Sequence, residues 1–255
     1  MAVNIPAYPA ARDLLKGKTV VVTAAAGTGI GFAVAKRAVE EGARVLISDI
    51  HERRLAEASA RLGGAPTVRC NVAVQDDVDA LWAAAEKELG GVDVLVNNAG
   101  LGGTARLADM TDDEWHKVTD VTLTGTFRMM RAGLRHMLPR GSGSIVNNAS
   151  VLGWRAQAGQ GHYAAAKAGV MALTRCAAME AAPSGVRVNA VAPSLATHEF
   201  LVKVTSQDLL DTLVAREAFG RGAEPWEVAS VIVFLASDYA SYMTGEVVSV
   251  SSQHA

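Results

Sequence analysis

In G-H-Y-A-A-A-K, Tyr163 and Lys167 stand four residues apart, a spacing that sets both side chains on one face of a helix. A fixed ammonium beside a phenol favours the phenolate, which makes a side chain that ordinarily titrates near about 10 usable as a general acid/base at neutral pH. Ser150 closes N-N-A-S, 13 positions before Tyr163, and its hydroxyl could hold a carbonyl oxygen. The second half of an oxidation or reduction is suggested upstream, where T-A-A-A-G-T-G-I-G (23–31) follows a β-branched run and opens a helical pattern. Glycines there let backbone approach a pyrophosphate, and the helix N-terminus supplies N–H donors and a positive dipole. Asp49, 18 residues after Gly31, is placed to accept the hydroxyls of an adenosine ribose and to repel a 2′-phosphate, favouring NAD over NADP. His51, Arg53 and Arg54 nearby keep NADP open. Taken singly, each feature has an ordinary reading: a turn glycine, a helix cap at Asp49, a strand-end serine, a chance Tyr–Lys pair.

The elements that must position these residues are legible as alternation. β-Branched runs at 19–23, 44–49, 67–70, 92–97, 144–148, 187–191 and 247–250 alternate with helical spacing at 30–42, 52–62, 75–89, 112–137, 161–181, 206–218 and 225–237. The runs are nearly continuously apolar, as expected of strands buried on both faces of a parallel sheet. Gly42 stands where a helix C-terminal glycine belongs, and Thr111 with Glu114 forms a capping-box pattern that starts a helix. The prediction is an α/β fold, one doubly wound seven-stranded parallel sheet with helices on both faces and right-handed crossovers. Residues 1–15 read as a surface arm and 16–255 as one domain.

Composition narrows the partners. With 24 Lys+Arg against 26 Asp+Glu the net charge is −2, which argues against nucleic-acid or acidic-membrane binding by bulk charge. The longest uncharged stretch, 19–35, is broken by Gly27, Gly29 and Gly31 and falls short of the roughly 20 apolar residues that span a bilayer. No secretory pattern precedes it. The two cysteines, Cys70 and Cys176, form no C-x-x-C pair, so no disulfide scaffold or metal site is expected and a reducing, cytoplasmic location fits.

These motifs together resemble the short-chain dehydrogenase/reductase family from about Leu15 to Ser252. The resemblance rests on the glycine turn, N-N-A-G (97–100), Ser150, Tyr163-x-x-x-Lys167, V-N-A-V-A-P (188–193) and F-L-A-S-D-Y-A-S-Y-M-T-G (234–245). It implies a single-domain Rossmann fold in which Ser150 polarises the substrate carbonyl, Tyr163 exchanges the proton, and Lys167 binds the nicotinamide ribose while lowering the tyrosine pKa. It also implies cofactor contacts from Thr23, Gly27, Gly29, Ile30, Asn71, Val72, Asn98, Ala99, Gly100, Pro193, Leu195 and Thr197, with Leu195 reaching the carboxamide through its backbone. Gly29 and Ile30 are the contacts least affected by the sequence's departures.

Three departures bear on function. The glycine turn has one residue more than the usual T-G-x-x-x-G-x-G, so it must be longer or bulged. His198 occupies the usual threonine position, with Thr197 one residue earlier. Thr122 stands where the family carries a fourth catalytic residue, an asparagine; its hydroxyl could hold a water or its side chain could fill space.

The segments S-D-I-H-E-R-R-L, N-N-A-S-V-L-G-W-R-A-Q and T-G-E-V-V-S-V-S-S-Q, with Thr122, are most similar in texture to the actinobacterial dehydrogenases of steroid C/D-ring degradation. Those enzymes interconvert a hydroxyl and a ketone on a methyl-indanone ring carrying a CoA thioester. A 3-oxoacyl-thioester reductase is the alternative, and a non-enzymatic nucleotide sensor on the same fold a further one. The substrate loop is expected at 194–222, with Leu195, Phe200, Leu201, Val204 and Leu213 as an apolar lid. Trp154 and Arg155 are open between a ring contact with a cation and, respectively, core packing and a solvated loop. His162 is expected at the surface, because adjacent helix positions point about 100° apart, and Cys176 in the core. The resemblance implies a homotetramer built on helices 112–137 and 161–181, with a second contact through 225–250.

Overall fold

The computed structural model describes residues 3–204 and 206–253, with the side chains of Phe200 and Val204 outside that description. Seven parallel strands, β1 (Thr19–Thr23), β2 (Arg44–Asp49), β3 (Thr67–Arg69), β4 (Val94–Asn97), β5 (Gly143–Asn148), β6 (Val186–Pro193) and β7 (Val247–Val250), form one sheet in the order β3-β2-β1-β4-β5-β6-β7. The order reverses between β1 and β4, so the crossovers on either side of that point leave a crevice at the carboxyl ends of the strands. The glycine turn, Asp49, Asn98, Ser150 and Pro193 all lie at those ends.

Alternate strand residues feed two cores. Val20, Val22, Val45, Ile47, Val94 and Val96 pack against α1 (Ile30–Glu40), α2 (Glu52–Arg61) and α9 (Pro225–Ala236). Val21, Leu46, Leu95, Ile145 and Val188 face α3 (Gln75–Leu89), α5 (Gly125–Met137) and α6 (Gly161–Ala181). Both faces of each strand are therefore apolar, which is why the sequence shows continuous rather than alternating runs.

Two helical stretches differ from the sequence expectation. The single helix expected over 112–137 is α4 (Asp112–Thr119), a π-helical turn at Asp120–Thr124, then α5. Thr111 caps α4 with both reciprocal bonds of the capping box. The widened turn contains Val121, Thr122 and Thr124, and the Thr122 carbonyl accepts the Thr126 hydroxyl at 2.8 Å instead of serving only the regular ladder; such turns recur at functional sites. The stretch expected at 206–218 is shorter, α8 (Gln207–Val214), and a further helix, α7 (Glu199–Val204), precedes it.

The arm lies on the surface, tied by a buried pair. Arg37 of α1 donates to the carbonyls of Pro9 and Ala10 and pairs with Glu41, whose carboxylate accepts the N–H groups of Arg12 and Leu14 at 2.8 and 2.9 Å. The arm's far end reaches the segment after α8, where Val3 donates to Phe219 O at 2.8 Å.

Candidate active site and cofactor cleft

The extra residue of the glycine turn is absorbed just after β1. Ala24 takes a φ of 51°, a left-handed conformation that costs a non-glycine residue about 1–2 kcal/mol. Asn98, beyond β4, ties the distorted turn down: its side-chain amide donates to Thr23 O at 3.2 Å and Ala24 O at 3.1 Å. Gly31 is dictated by this packing, since a Cβ there would lie 2.4 Å from both Ala24 O and the Asn98 amide nitrogen. Thr23, an expected cofactor contact, is instead buried with its hydroxyl accepting the N–H groups of Asn98 and Ala99, each at 3.0 Å. It fixes N-N-A-G against β1.

Helix α1 then starts at Ile30 with Gly29 as its N-cap, no side-chain cap and no acidic residue in its first turn. Its first N–H donors are left for an anion. The His198 imidazole covers Gly29, lying 3.6 Å from where a Cβ would stand; burial pushes its pKa down. At the end of β2 the Asp49 carboxylate accepts Ala26 N–H at 3.2 Å and His51 N–H at 3.1 Å, so it is aimed across the mouth of the turn. Burial pushes its pKa up, against the pull of the Ala26 N–H and the charge of Arg54. At Asn71 the side-chain oxygen already accepts Ala73 N–H at 3.0 Å. Its neighbour Val72 is buried against Gly125 of α5, where a Cβ would come within 2.6 Å of the valine methyl.

Ser150, Tyr163 and Lys167 converge at the end of β5. Ser150 accepts Leu152 N–H at 3.2 Å, which orients its hydroxyl at the start of a short 3₁₀ turn. The Tyr163 phenol is held above its ordinary pKa by burial, and the nearby Ser150 hydroxyl pulls in the opposite direction. Lys167 is buried, donates to the Asn148 carbonyl at 2.5 Å, and places its Nζ 5.5 Å from the centre of the Tyr163 ring. Gly100 leaves room for it, because a Cβ there would meet that Nζ at 3.4 Å. Asn148 also donates its side-chain amide to Asn98 Oδ1 at 2.9 Å. One residue thus links the lysine to the residue that pins the glycine turn.

Thr122 is fully buried, and its hydroxyl both accepts Leu101 N–H at 2.9 Å and donates to Leu101 O at 3.0 Å. The two sequence alternatives, a water holder or a space filler, give way to a clamp on the backbone next to Gly100. His162, expected at the surface, is only 1% exposed. Gly103 covers its ring, since a Cβ there would come within 2.8 Å of Nε2, and Nδ1 accepts Tyr163 N–H at 2.9 Å. Cys176, expected in the core, is exposed, because it shares the outward face of α6 with Arg175 and Met179. Trp154 is 52% exposed, so it is not core packing.

The chain after β6 folds over the crevice. Pro193 and Leu195 are buried and Thr197 half-buried, with the Thr197 hydroxyl against Gly222, the Leu195 N–H donated to Glu217 Oε1 at 3.3 Å, and the Leu195 carbonyl accepting Ala223 N–H at 2.8 Å. Leu210 is buried and Leu201 and Leu213 half-buried; Phe200 and Val204 of the expected lid have side chains outside the described residues. Glu217 is the residue that sequence reasoning missed: it is buried and also accepts the hydroxyls of Ser194 and Ser252, at 3.0 and 2.8 Å. A single Glu in a polar helical stretch carries no signal of burial.

The cleft fits a nicotinamide dinucleotide. The helix N-terminus is uncapped, Gly27 leaves room before it, Gly29 lets the His198 ring lie against the turn, and the Asp49 carboxylate stands at its mouth. Such a cofactor, when bound, supplies or accepts hydride. What the arrangement can do chemically is hold a substrate oxygen between Ser150 and Tyr163, exchange its proton at the phenol, and set the Lys167 ammonium beside that phenol.

A sequence profile described as Enoyl-(Acyl carrier protein) reductase, of the short-chain dehydrogenase class, matches residues 24–252. The chain belongs to the short-chain dehydrogenase/reductase family. It is 63% identical, over 98% of its length and 97% of the relative's, to the (5R,7aS)-5-hydroxy-7a-methyl-1-oxo-2,3,5,6,7,7a-hexahydro-1H-indene-carboxyl-CoA reductase of Mycobacterium tuberculosis. It is 44% identical, over 91% of its length and 94% of the relative's, to the cis-4-hydroxycyclohexanecarboxylate dehydrogenase of Sinomonas cyclohexanicum. The crystal structure of a short chain dehydrogenase from Mycobacterium smegmatis superposes with a TM-score of 0.87 at 56% identity, covering 99% of both chains. The protein is thus an oxidoreductase of a family that binds NAD(P). Among the described residues no helix is long and apolar enough to cross a membrane and no cluster of metal-ligating side chains is formed.

Burial of Lys167 in this short-chain dehydrogenase/reductase pushes its pKa down to about 8 from the usual 10.5. Below about pH 8 the folded and unfolded chains both carry the ammonium; above it the folded chain sheds the proton first, so stability rises with pH through this window. The stability difference between wild type and Lys167→Met should therefore change in favour of the wild type by about 3 kcal/mol from pH 7 to pH 10.5. Denaturant titrations across that range check it, and parallel pH curves for the two proteins would contradict a buried ammonium.

Proposed function

We propose that the protein is an NAD(H)-dependent oxidoreductase that interconverts a secondary alcohol and a ketone on a steroid-derived bicyclic CoA thioester, as a step of steroid-ring degradation. The observation that carries the chemistry is the convergence of Ser150, Tyr163 and Lys167 at the strand ends beside an uncapped helix N-terminus. The ring thioester is supported by the activity for which the 63% identical mycobacterial relative is named. The Sinomonas relative, named for a hydroxylated six-membered ring, supports a cyclic secondary alcohol.

In this reading Ser150 polarises the carbonyl oxygen and Tyr163 gives or takes its proton. Lys167 holds the nicotinamide ribose and the charge of the phenolate. Asp49 accepts the adenosine ribose hydroxyls, which supports NAD over NADP. Gly27, Gly29 and Ile30 line the pyrophosphate, and Asn71, Val72, Asn98, Ala99, Gly100, Pro193, Leu195 and Thr197 line the rest of the dinucleotide. Thr23 and Thr122 act one step removed, through the backbone of 98–101. Segment 194–222 serves as the lid. The protein acts as a homotetramer in the cytoplasm, where nicotinamide and acyl-CoA pools are held.

Turnover assays followed by NADH absorbance distinguish the readings. The bicyclic keto-indane CoA thioester should be reduced with NADH and poorly with NADPH, and acetoacetyl thioesters should be weak substrates. Reduction of the linear thioester alone would make the protein a 3-oxoacyl-thioester reductase. Tight NADH binding with no turnover of either would leave a nucleotide sensor.

A further inference from the structure

Outside the groups assigned above, two cations lie on one concavity. A cavity of about 310 Å³ is lined by Leu152, Arg155, Ala156, Gln157, Arg216 and Gln253. It lies next to the candidate catalytic serine, since Leu152, one of its lining residues, donates its N–H to Ser150 Oγ at 3.2 Å. Arg155 is held in place by Gln253, to whose side-chain oxygen it donates at 2.7 Å. Among the described residues neither Arg155 nor Arg216 pairs with a carboxylate. The acid beside Arg216 does not neutralise it, because Glu217 is turned inward onto Ser194, Leu195 and Ser252. Ala218 N–H also bonds Ser252 O at 2.7 Å, so the wall carrying Arg216 is fixed to the tail that carries Gln253.

Two guanidiniums facing one cavity without a counter-charge repel each other, and the arrangement becomes favourable when an anion with several oxygens joins them. The net charge of the chain is −2, so the pair is a local feature and not part of a general basic surface. We infer that Arg155 and Arg216 bind the phosphates of the CoA carrier, with the thioester arm running from Ser150 past Leu152 into this cavity. The inference rests on the acyl-CoA reading above. It goes beyond it by separating a site for the carrier from the site for the reacting ring. Gln157 and Gln253 supply neutral donors to the same oxygens once Arg155 shifts from Gln253 onto phosphate.

The test compares the keto-indane acyl group carried on CoA with the same group carried on pantetheine, in wild type and in Arg155→Gln, Arg216→Gln and the double variant. Charge-assisted hydrogen bonds of this kind should give wild type a KM about tenfold to a hundredfold lower for the CoA thioester than for the pantetheine thioester. The double variant should lose that advantage by a rise in the CoA thioester's KM alone. A wild type that treats the two thioesters alike, or an advantage that survives in the double variant, would overturn the site. If wild type turns over neither thioester, the substrate reading fails, and the site is tested by calorimetric titration of free CoA into the NADH-loaded protein. There the double variant should bind CoA about tenfold or more weakly, and equal binding would overturn the inference. Preference for a carrier-protein thioester over CoA, lost in the same variants, would also overturn it by placing the phosphopantetheine of a protein in the cavity.

Discussion

Tyr163→Phe should lower kcat for the ring thioester about a hundredfold to ten-thousandfold, the range a positioned general acid contributes, while NADH binding changes by less than about threefold, a difference below 1 kcal/mol. The variant removes one hydroxyl from a half-buried ring and leaves the rest of the cluster standing. Lys167 keeps its bond to the Asn148 carbonyl, and Ser150 keeps the Leu152 N–H. A carbonyl held by Ser150 then has no proton donor as the hydride arrives, and the loss falls on kcat because the phenol's work is done in the transition state. Steady-state kinetics with fluorescence titration of NADH separate the two quantities. Retained turnover in Tyr163→Phe would remove the tyrosine from the reaction, and a parallel loss of NADH binding would make it a cofactor ligand only.

Asp49→Asn should raise KM for NADH about tenfold to a hundredfold, as expected when a charged acceptor of two hydrogen bonds becomes neutral, and should raise the relative use of NADPH. Ala26 and His51 donate their N–H groups to different carboxylate oxygens, at 3.2 and 3.1 Å, so the amide oxygen of the variant can keep the Ala26 bond that supports the glycine turn while the bond to His51 is given up. What changes is the charge at the ribose end of the cleft, where Arg54 is close enough to pull the Asp49 pKa down against the effect of burial. With the carboxylate gone, that cation faces a 2′-phosphate without competition. Paired kcat/KM values for NADH and NADPH give the answer, and an unchanged ratio would remove Asp49 as the selector.

How much of this was legible in the sequence follows from which forces set each feature. The seven strands and their order of appearance were readable because burial on both sheet faces forces continuous apolar runs such as Val20, Val21 and Val22, which divide between two cores. Ser150, Tyr163 and Lys167 were readable as a set because backbone periodicity alone brings residues four apart together, and the strand end brings the serine. The misreadings came from tertiary contacts that leave no periodic trace. His162 is buried because Gly103, some 60 positions earlier in the chain, lies on it. Cys176 is exposed because the long helix α6 turns one side outward along with Met179. The π-helical turn at Asp120–Thr124 carries the Thr122 clamp on Leu101, and neither shows in spacing. Glu217 was invisible because its three partners come from the segment just after β6 and from the tail.

The central claim is that this chain moves hydride to a carbonyl carbon with Tyr163 serving the oxygen. The most direct measurement is the fate of the label when the keto-indane CoA thioester is reduced with NADH deuterated at C4 of the nicotinamide, read by mass spectrometry and NMR of the product. The account predicts one deuterium on the carbinol carbon that bears the new hydroxyl. Deuterium on a carbon of a former C=C bond, the outcome expected of an enoyl reductase, would contradict it, as would an unlabelled product.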